Sequence, residues 1–495
     1  MRDTETEKRD GRIMNKKIKR LLTDTVVLAM GTFASKLLVF LMLPLYTEYL
    51  TPGMYSTADL ITQAANLIIP FACLGMTDAV FRFVSEKQTD KGAVLSSGLF
   101  VLLICVAAFG VLSPVLALFS KFDGYVWLIV VYVIAADIHS LFAQYIRAQG
   151  RTRLFAVQGI VNTAFTIGLN ILFLVVFRMN ITGYVLSTVV ADLLSTVFII
   201  AVSRPLKDIK LSLIRKDLIR EMLKYCLPLI PTTIFWWITN VSDRYIVSEI
   251  CGDSVNGLYA AAYKIPTLLT LASAVFNEAW QYFAFSGKRS KGEDRESENT
   301  PEETAREERE NSYYFERTFA AFSTVMMLAC SFLMLLCKPL INILLADSYR
   351  DAWIYVPILL VATVFTALVT FLSSTYALRK KTVMSLVTAA VGAVVNIVFN
   401  ILLIPAFGAN GAAFATLLCY ALVFVIRSVN VRKYVKFRIY KPTFIISTAV
   451  LAAQCASIVV SGEYNIILQS LFVCALIAVN IPTIFNTLKA MFLKN

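Results

Sequence analysis

Residues 93–114 read AVLSSGLFVLLICVAAFGVLSP, a stretch without a single charged side chain. A helix of about 20 residues crosses the roughly 30 Å hydrocarbon core of a bilayer, so this stretch is long enough to span it. Similar stretches recur along the chain and predict about fourteen transmembrane helices. They cover residues 22–46, 55–80, 93–114, 125–146, 154–177, 181–203, 225–249, 256–284, 318–337, 352–377, 384–405, 409–426, 443–461 and 465–486. The fold class predicted is therefore an all-α integral membrane protein.

The composition supports this class. The 495 residues are 58% hydrophobic and 16% charged, whereas a soluble domain has roughly 45–50% apolar and about 25% charged residues. The net charge of +13 could suggest nucleic acid, but the basic residues are spread over many short loops instead of one face. We therefore expect no nucleic-acid partner.

The basic residues also predict the orientation of the helices. Of the 46 lysines and arginines, 39 lie in the two tails and in every second gap between the apolar stretches. The intervening gaps hold only Lys121, Arg178, Lys338 and Arg350. This asymmetry follows the positive-inside rule. It predicts a multi-pass protein of the plasma (inner) membrane with both termini in the cytoplasm.

The chain divides into five predicted segments. They are a basic cytoplasmic tail (1–20), an N-lobe of six helices (21–203), a basic cytoplasmic linker (204–224), a C-lobe of six helices (225–428), and a final helix pair with the C-terminal tail (429–495). The linker is predicted to form an amphipathic helix on the membrane surface. Residues 287–317 are rich in both charges and are expected to be a flexible loop.

Short motifs indicate that the two lobes are repeats. Gly53-Met54-Tyr55 follows the first stretch as Gly257-Leu258-Tyr259 follows the seventh, although chance matches in apolar sequence are the alternative. A parallel repeat would place a central cavity between two six-helix lobes. Pro70 and Pro266 lie in equivalent helices, where a proline kinks the helix by removing a backbone hydrogen bond.

Charges inside the predicted helices are the candidate functional residues, because such side chains usually face protein or a watery cavity. Lys36, Lys264 and, less directly, Arg244 are candidates for a cationic cavity that binds an anionic substrate. The alternative is a snorkelling amine or a structural ion pair. Asp137, Asp192 and Asp243 are candidates for ion coupling or, equally, for pairing between helices.

The sequence gives no support to a bound cofactor or to enzymatic activity. The chain has no Walker A sequence, and its nine cysteines and one histidine form no metal-ligand pattern. The longest external gap, 338–351, is too short for a catalytic domain. We therefore expect no cofactor, no metal and no enzymatic activity.

Two segments resemble a known family. The first is Gly31-Thr32-Phe33-Ala34-Ser35-Lys36 with Leu43-Pro44-Leu45-Tyr46; the second is Leu227-Pro228-Leu229-Ile230-Pro231 with Ser242-Asp243-Arg244-Tyr245 and Tyr263-Lys264-Ile265. They are similar to bacterial polysaccharide (oligosaccharide-lipid) flippases of the multidrug/oligosaccharidyl-lipid/polysaccharide exporter superfamily. The resemblance implies fourteen helices around a central cavity and alternating-access transport of a polyprenyl-diphosphate-linked oligosaccharide to the outer leaflet. It also implies that Lys36, Lys264 and Arg244 bind the diphosphate.

We also expect membrane lipids as partners, with a polysaccharide polymerase or glycosyltransferases as further partners, and a monomeric protein. A cation-coupled multidrug antiporter of the same superfamily is the main alternative, because Asp137 and Asp192 could serve it. A membrane-embedded glycan polymerase or ligase and a non-catalytic scaffold are weaker alternatives.

Overall fold

The computed structural model describes residues 37–38, 40–86, 89–118, 122, 124–289, 301–378, 382–435 and 442–492. Within these ranges the chain is helical and contains no strand. The α-helices are α1 Leu43–Tyr49, α2 Pro52–Ala72, α3 Met76–Ser85, α4 Lys91–Leu112, α5 Val126–Ala148, α6 Thr152–Asn170, α7 Asn180–Ser203, α8 Lys216–Cys226, α9 Ile230–Cys251, α10 Asp253–Ala262, α11 Lys264–Arg289, α12 Pro301–Leu344, α13 Val356–Leu378, α14 Thr382–Phe407, α15 Ala409–Val431, α16 Pro442–Val459 and α17 Ile466–Phe492.

The helices of the described ranges are long and apolar enough for a multi-pass membrane protein. Eleven spans meet the length and composition of a membrane-crossing helix, and α2 with α3 would make a twelfth. Two of the fourteen predicted spans are not among them. The first, 22–46, lies mostly outside the described residues, and the seventh corresponds to α9, which is less apolar because it carries Asp243, Arg244 and Glu249.

The chain forms two compact units. The first comprises Met1–Leu45 and Ala58–Thr233, and the second Tyr46–Thr57 and Ile234–Asn495. The division differs from the predicted lobes in two respects: residues 204–233 belong with the first unit, and the start of α2 belongs with the second. The final pair, α16 and α17, lies within the second unit.

The linker helix α8 is part of the first unit's core. Leu218, Met222 and Cys226 are buried in one cluster with Met76 and Val80 of α3. The apolar face predicted to lie on the membrane therefore packs on protein instead, because α3 and α4 offer it a closed apolar surface. Leu211, just before α8, is 85% exposed. Arg215 pairs with Asp217 in the first turn, which holds the pKa of that carboxyl below its usual value.

In the second unit, α13, α14 and α15 pack together, and α12 packs on α16 and α17. Buried polar pairs link α12 to the final pair: the Ser331 hydroxyl donates to Gln454 Oε1 at 2.6 Å, and the Thr324 hydroxyl donates to Asn480 Oδ1 at 2.9 Å. Such bonds between helices are favourable where no water competes for the polar groups.

The start of α2 belongs to the second unit because it packs on the start of α10. A Cβ on Gly257 would lie 1.9 Å from the Pro52 carbonyl oxygen, so the two backbones touch there. The Tyr349 hydroxyl donates to the Leu50 carbonyl at 2.8 Å, and Asn256 Nδ2 donates to the Ser56 hydroxyl at 2.8 Å. The close approach of the two backbones thus occurs at Gly257, one of the two motif glycines that indicate a repeat.

The predicted helices that contain Pro70 and Pro266 are both interrupted near the proline. α2 and α3 meet at 55°, and the backbone between them takes left-handed angles at Leu74 and Gly75, shortly after Pro70. α10 ends at Ala262 and α11 begins at Lys264. Pro266 has no N–H to donate to the Ala262 carbonyl, which explains a break at this point.

Parts of the segment 287–317, which the sequence predicts to be a flexible loop, are helical. α11 continues to Arg289 and α12 begins at Pro301, so only 290–300 lies outside the described residues. Proline is favoured at the first position of a helix, which is where Pro301 lies.

Candidate substrate and ion sites

The described part of the chain includes two of the three predicted cations. Lys36 lies outside the described residues. Lys264 is the first residue of α11 and is half-buried, at the helix break that Pro266 explains. Arg244 lies on α9 in the same unit and is 9% exposed.

Arg244 stacks on an aromatic ring. Its guanidinium carbon lies 4.7 Å from the ring centre of Tyr263, the residue that precedes Lys264. A guanidinium on an aromatic face keeps its N–H groups at its edge, where they can bind phosphate or carboxylate oxygens. Tyr263 thus has one predicted cation, Arg244, on its ring and another, Lys264, as its neighbour in the chain.

Asp243, the neighbour of Arg244, is fully buried and surrounded by donors. The hydroxyl of Tyr259 donates to its Oδ2 at 2.7 Å, and that of Tyr263 donates to the same oxygen at 3.1 Å. The backbone N–H of Arg244 donates to Oδ1 at 2.9 Å, and the Thr416 hydroxyl of α15 lies 3.5 Å from Oδ2. Asp243 thus links α9, α10 and α15, the helix-pairing role that the sequence left open beside ion coupling.

Asp192 of α7 belongs to a second polar group, in the first unit. Asn162 Nδ2 on α6 donates to its Oδ1 at 3.0 Å. The Nδ1 of His139 on α5 lies 3.4 Å from the same oxygen, and His139 Nε2 lies 3.0 Å from Gln158 Oε1. Three helices therefore meet around one carboxylate and one imidazole.

Asp137 does not join this group, although it precedes His139 by only two residues. It is fully buried and lies beside the Cys73 thiol. No hydrogen bond of ordinary geometry reaches either of its oxygens from the described residues. On one helix, positions two apart point in different directions, so the sequence alone could not decide whether Asp137 or His139 faces Asp192.

Arg427 is a buried cation that lies one residue beyond the predicted span 409–426, on the side where the pattern places cytoplasmic loops. α15 continues to Val431, beyond the predicted end at residue 426, and Arg427 is fully buried. Its Nε donates to the Thr388 hydroxyl at 3.0 Å and its Nη1 donates to the Val369 carbonyl at 3.1 Å. The spacing of Thr416, Tyr420, Val423 and Arg427 is the signal that could have placed it on the buried face of one long helix.

The sequence profile of the family described as "Polysaccharide biosynthesis protein" matches residues 21–280. The chain belongs to the polysaccharide biosynthesis protein family. The matched segment is more than half of the chain and contains Lys36, Arg244 and Lys264. The family resemblance drawn from the motifs is therefore confirmed. No curated protein matches the sequence.

Solved structures show the same fold. The chain is similar to the structure titled "Lipid II flippase MurJ, inward closed conformation", with a TM-score of 0.69 and 15% identity over 94% of this chain and 99% of that one. It is also similar to a crystal structure of a MATE point mutant, with a TM-score of 0.58 and 13% identity over 87% and 96% of the two chains. An outward-facing multidrug resistance MATE transporter of the MOP superfamily matches with a TM-score of 0.56 and 14% identity, covering 87% of this chain and 96% of that one. The all-α membrane-transporter fold predicted from the sequence is confirmed.

Proposed function

We propose that this family member flips a polyprenyl-diphosphate-linked oligosaccharide from the cytoplasmic to the outer leaflet of the plasma membrane by alternating access. The observation that carries the proposal is the family match over residues 21–280, which contains every cation that the sequence places inside a helix. Lys36, Lys264 and Arg244 are the proposed diphosphate ligands. Both termini lie in the cytoplasm in this proposal, and the glycan feeds cell-surface polysaccharide synthesis.

The chemistry of the cargo explains why cations would be placed inside a membrane protein. A diphosphate with sugars cannot cross hydrocarbon unaided, because removing its charges from water without partners costs many kcal/mol. Charge-assisted hydrogen bonds from guanidinium and ammonium groups replace part of that lost hydration. The buried Arg244 on Tyr263 and the half-buried Lys264 are suited to this task.

The membrane potential favours outward movement of such a cargo. Moving each negative charge from a negative interior to the outside gains about 2.3 kcal/mol per 100 mV. A diphosphate carries at least two such charges, so the potential alone can bias the direction. The expected partners are membrane lipids and the polymerase or glycosyltransferases that use or make the glycan.

The test is translocation by purified protein in vesicles. A fluorescent polyprenyl diphosphate bearing a short oligosaccharide is placed in both leaflets, and a membrane-impermeant quencher reports the fraction that reaches the outer leaflet over time. Lys264→Ala and Arg244→Ala should each slow translocation about tenfold or more, because a hydrogen bond to a charged group contributes about 1.5–3 kcal/mol. Lys36→Ala should act in the same way.

Lys433→Ala is the matched control, since Lys433 is exposed just beyond α15 and should leave the rate unchanged. Equal vesicle incorporation of all variants separates loss of transport from loss of protein. Native rates in all three cation variants would contradict the proposed role of the cations.

Multidrug antiport is the second candidate, because MATE structures share the fold and Asp137 and Asp192 are buried carboxyl groups in the first unit. That function predicts ion-dependent efflux of organic cations by the same vesicles. It also predicts that the labelled glycolipid stays in its leaflet. The two assays together decide between the candidates.

A further inference from the structure

The accessible face of α13 is a row of hydroxyl groups. Within Val356–Tyr376 most residues are buried, and Thr370 is the only exposed one. Apart from Phe365, every residue of this range that is not buried carries a hydroxyl group. These residues, which we call the hydroxyl row, are Thr363, Thr366, Thr370 and Ser373. Their spacing of three, four and three residues places them on one side of the helix.

The two helices that pack on α13 expose a different kind of surface. Their large exposed side chains include Val394 and Val398 on α14, and Leu422 and Val425 on α15. A helix face that meets acyl chains is expected to be apolar, because lipid offers no hydrogen-bond partners. The contrast indicates that α14 and α15 turn these faces to lipid, whereas the hydroxyl row faces water or cargo.

On α9 an amide group lies beside the hydroxyl row. Asn240 is exposed in the middle of this helix, where a polar side chain is unfavourable against lipid. Its Nδ2 donates to the Trp236 carbonyl at 2.6 Å, and its Oδ1 accepts from the Tyr420 hydroxyl at 2.6 Å. The Tyr420 hydroxyl also lies beside Thr366 of the row. An amide has two N–H groups and two lone pairs, so one of each remains for a ligand.

A second contact joins the row to α9 one helical turn away. Arg427 donates to the Ser373 hydroxyl, and its guanidinium carbon lies 5.8 Å from the ring centre of Trp236. Thr370 lies between Thr366 and Ser373 on α13, so it shares one surface with Trp236 and the amide of α9. All of these residues belong to the second unit.

The groups that this surface leaves available match those of a sugar. The Thr366 and Thr370 hydroxyls donate to backbone carbonyls of α13, so their oxygens remain as acceptors. Trp236 is half-buried, and its indole N–H has no acceptor in the part of the chain that the structure describes. A sugar has hydroxyl groups that donate and accept, and the apolar body of an indole ring can pack on its C–H groups.

The charge at the end of the row also distinguishes ligands. Among the described residues no carboxylate pairs with Arg427, and its Nη2 has no hydrogen-bond partner although it is buried. An unneutralised positive charge favours a neutral or acidic ligand over an organic cation.

We propose that Trp236, Asn240 and the hydroxyl row bind the sugar part of the cargo and select it by its pattern of hydroxyl groups. That the sugar arrives on a lipid rests on the proposed function, whereas sugar binding does not. Trp236 stacks on a sugar ring, and Asn240 and Thr370 exchange hydrogen bonds with its hydroxyls. A site built in this way rejects analogues that lack a hydroxyl group, because its own polar groups are then left unpaired.

The binding test uses purified protein in detergent and soluble oligosaccharides without a lipid. Saturation-transfer NMR over a panel of short neutral and acidic oligosaccharides identifies the one that binds most tightly, and titration gives its Kd. Thr370→Val and Trp236→Phe should each raise this Kd about three- to tenfold, the effect of one lost hydrogen bond. Thr448→Val is the matched control, because the Thr448 hydroxyl makes the same bond within α16 and should leave the Kd unchanged.

Three results would overturn the sugar site. They are a wild type that binds no member of the panel, an unchanged Kd in both Thr370→Val and Trp236→Phe, and displacement of the oligosaccharide by the organic cation tetraphenylphosphonium.

The transport test compares two labelled lipids in vesicles. One is the polyprenyl diphosphate that carries the bound oligosaccharide, and the other is the same lipid without sugars. In Thr370→Val and Trp236→Phe the ratio of the two rates should fall about three- to tenfold relative to the wild type. Arg244→Ala should slow both lipids and keep the ratio near that of the wild type, because it acts on the diphosphate.

The two tests separate the sugar site from the proposed function. If the oligosaccharide binds as expected and neither lipid moves, the proposed function fails and the sugar site stands. If both lipids move and the ratio of rates is unchanged in Thr370→Val and Trp236→Phe, the sugar site plays no part in selecting the cargo and the proposal is overturned.

Discussion

Single glycines decide how closely some of these helices approach. Gly257 lets the Pro52 carbonyl touch α10, and a Cβ on Gly411 would lie 2.2 Å from the Leu403 carbonyl oxygen. Both obstacles are backbone atoms, which cannot rotate away as a side-chain end can. A Cβ on Gly183, near the start of α7, would lie 2.9 Å from Met179 Cβ. Gly257, Gly411 and Gly183 therefore occupy tightly packed positions near the starts of their helices.

Gly411→Ala should destabilise the second unit by about 1–3 kcal/mol, because overpacking forces the backbone to shift. Gly168→Ala is the control. Gly168 has no atom within 4 Å of an added Cβ, and alanine is favoured over glycine by roughly 0.5–1 kcal/mol within a helix. Thermal unfolding in detergent should show a lower midpoint for Gly411→Ala and an equal or higher one for Gly168→Ala. Equal midpoints for the two variants would mean that the α14–α15 turn relaxes freely.

At the scale of helices, Arg427 is the side chain that joins α13, α14 and α15. Beside its bonds to Thr388 and Val369 it donates to the Ser373 hydroxyl. Its guanidinium lies 5.8 Å from the ring centres of Trp236 and Tyr376. Two aromatic faces and three oxygens thus surround the cation, so packing and hydrogen bonds both hold it.

Arg427→Ala should destabilise the protein by about 3 kcal/mol, because it removes buried packing as well as hydrogen bonds. Arg427→Met keeps much of the volume and should recover more than half of the loss. Lys433→Ala, at an exposed position just beyond the same helix, should have little effect. The measurement is denaturant unfolding in detergent followed by tryptophan fluorescence. If Met were as damaging as Ala, the hydrogen bonds and not the packing would hold the three helices together.

For the whole molecule, the charges of the loops decide which side of the membrane each loop faces. The positive-inside pattern predicts that the two ends of α16 lie on opposite sides, with Lys433 in the cytoplasm and Glu463 outside. Both residues are exposed, so each can carry a reporter cysteine without disturbing the core. The nine native cysteines are free thiols, and Cys474 is the exposed one.

In a Cys474→Ser background, a membrane-impermeant maleimide should label Glu463→Cys in intact cells. It should label Lys433→Cys only after the membrane is opened. The reason is that lysines and arginines near helix ends are retained in the cytoplasm during insertion. Labelling of Lys433→Cys in intact cells would reverse the proposed orientation of the whole chain. Equal labelling of both sites would show that α16 does not cross the membrane.

The sequence by itself determined the fold class and the family. A long uncharged stretch is stable within lipid as a helix, because a helix pairs all of its own backbone N–H and C=O groups. This signal can be read from the stretch alone, without knowing which helices pack against it. The candidate cations and carboxylates followed from the same rule, since a charge within such a stretch is costly wherever it points.

The tertiary structure alone decided which of these groups meet. It joined Asp192 to His139 and not to Asp137, placed Asp243 among the hydroxyls of Tyr259 and Tyr263, and buried Arg427. It also turned the apolar face of α8 onto α3. Hydropathy gives the depth of a residue along a helix, but the direction of its side chain depends on helix rotation and packing. Those are set by contacts between residues far apart in the chain, which a single sequence does not record.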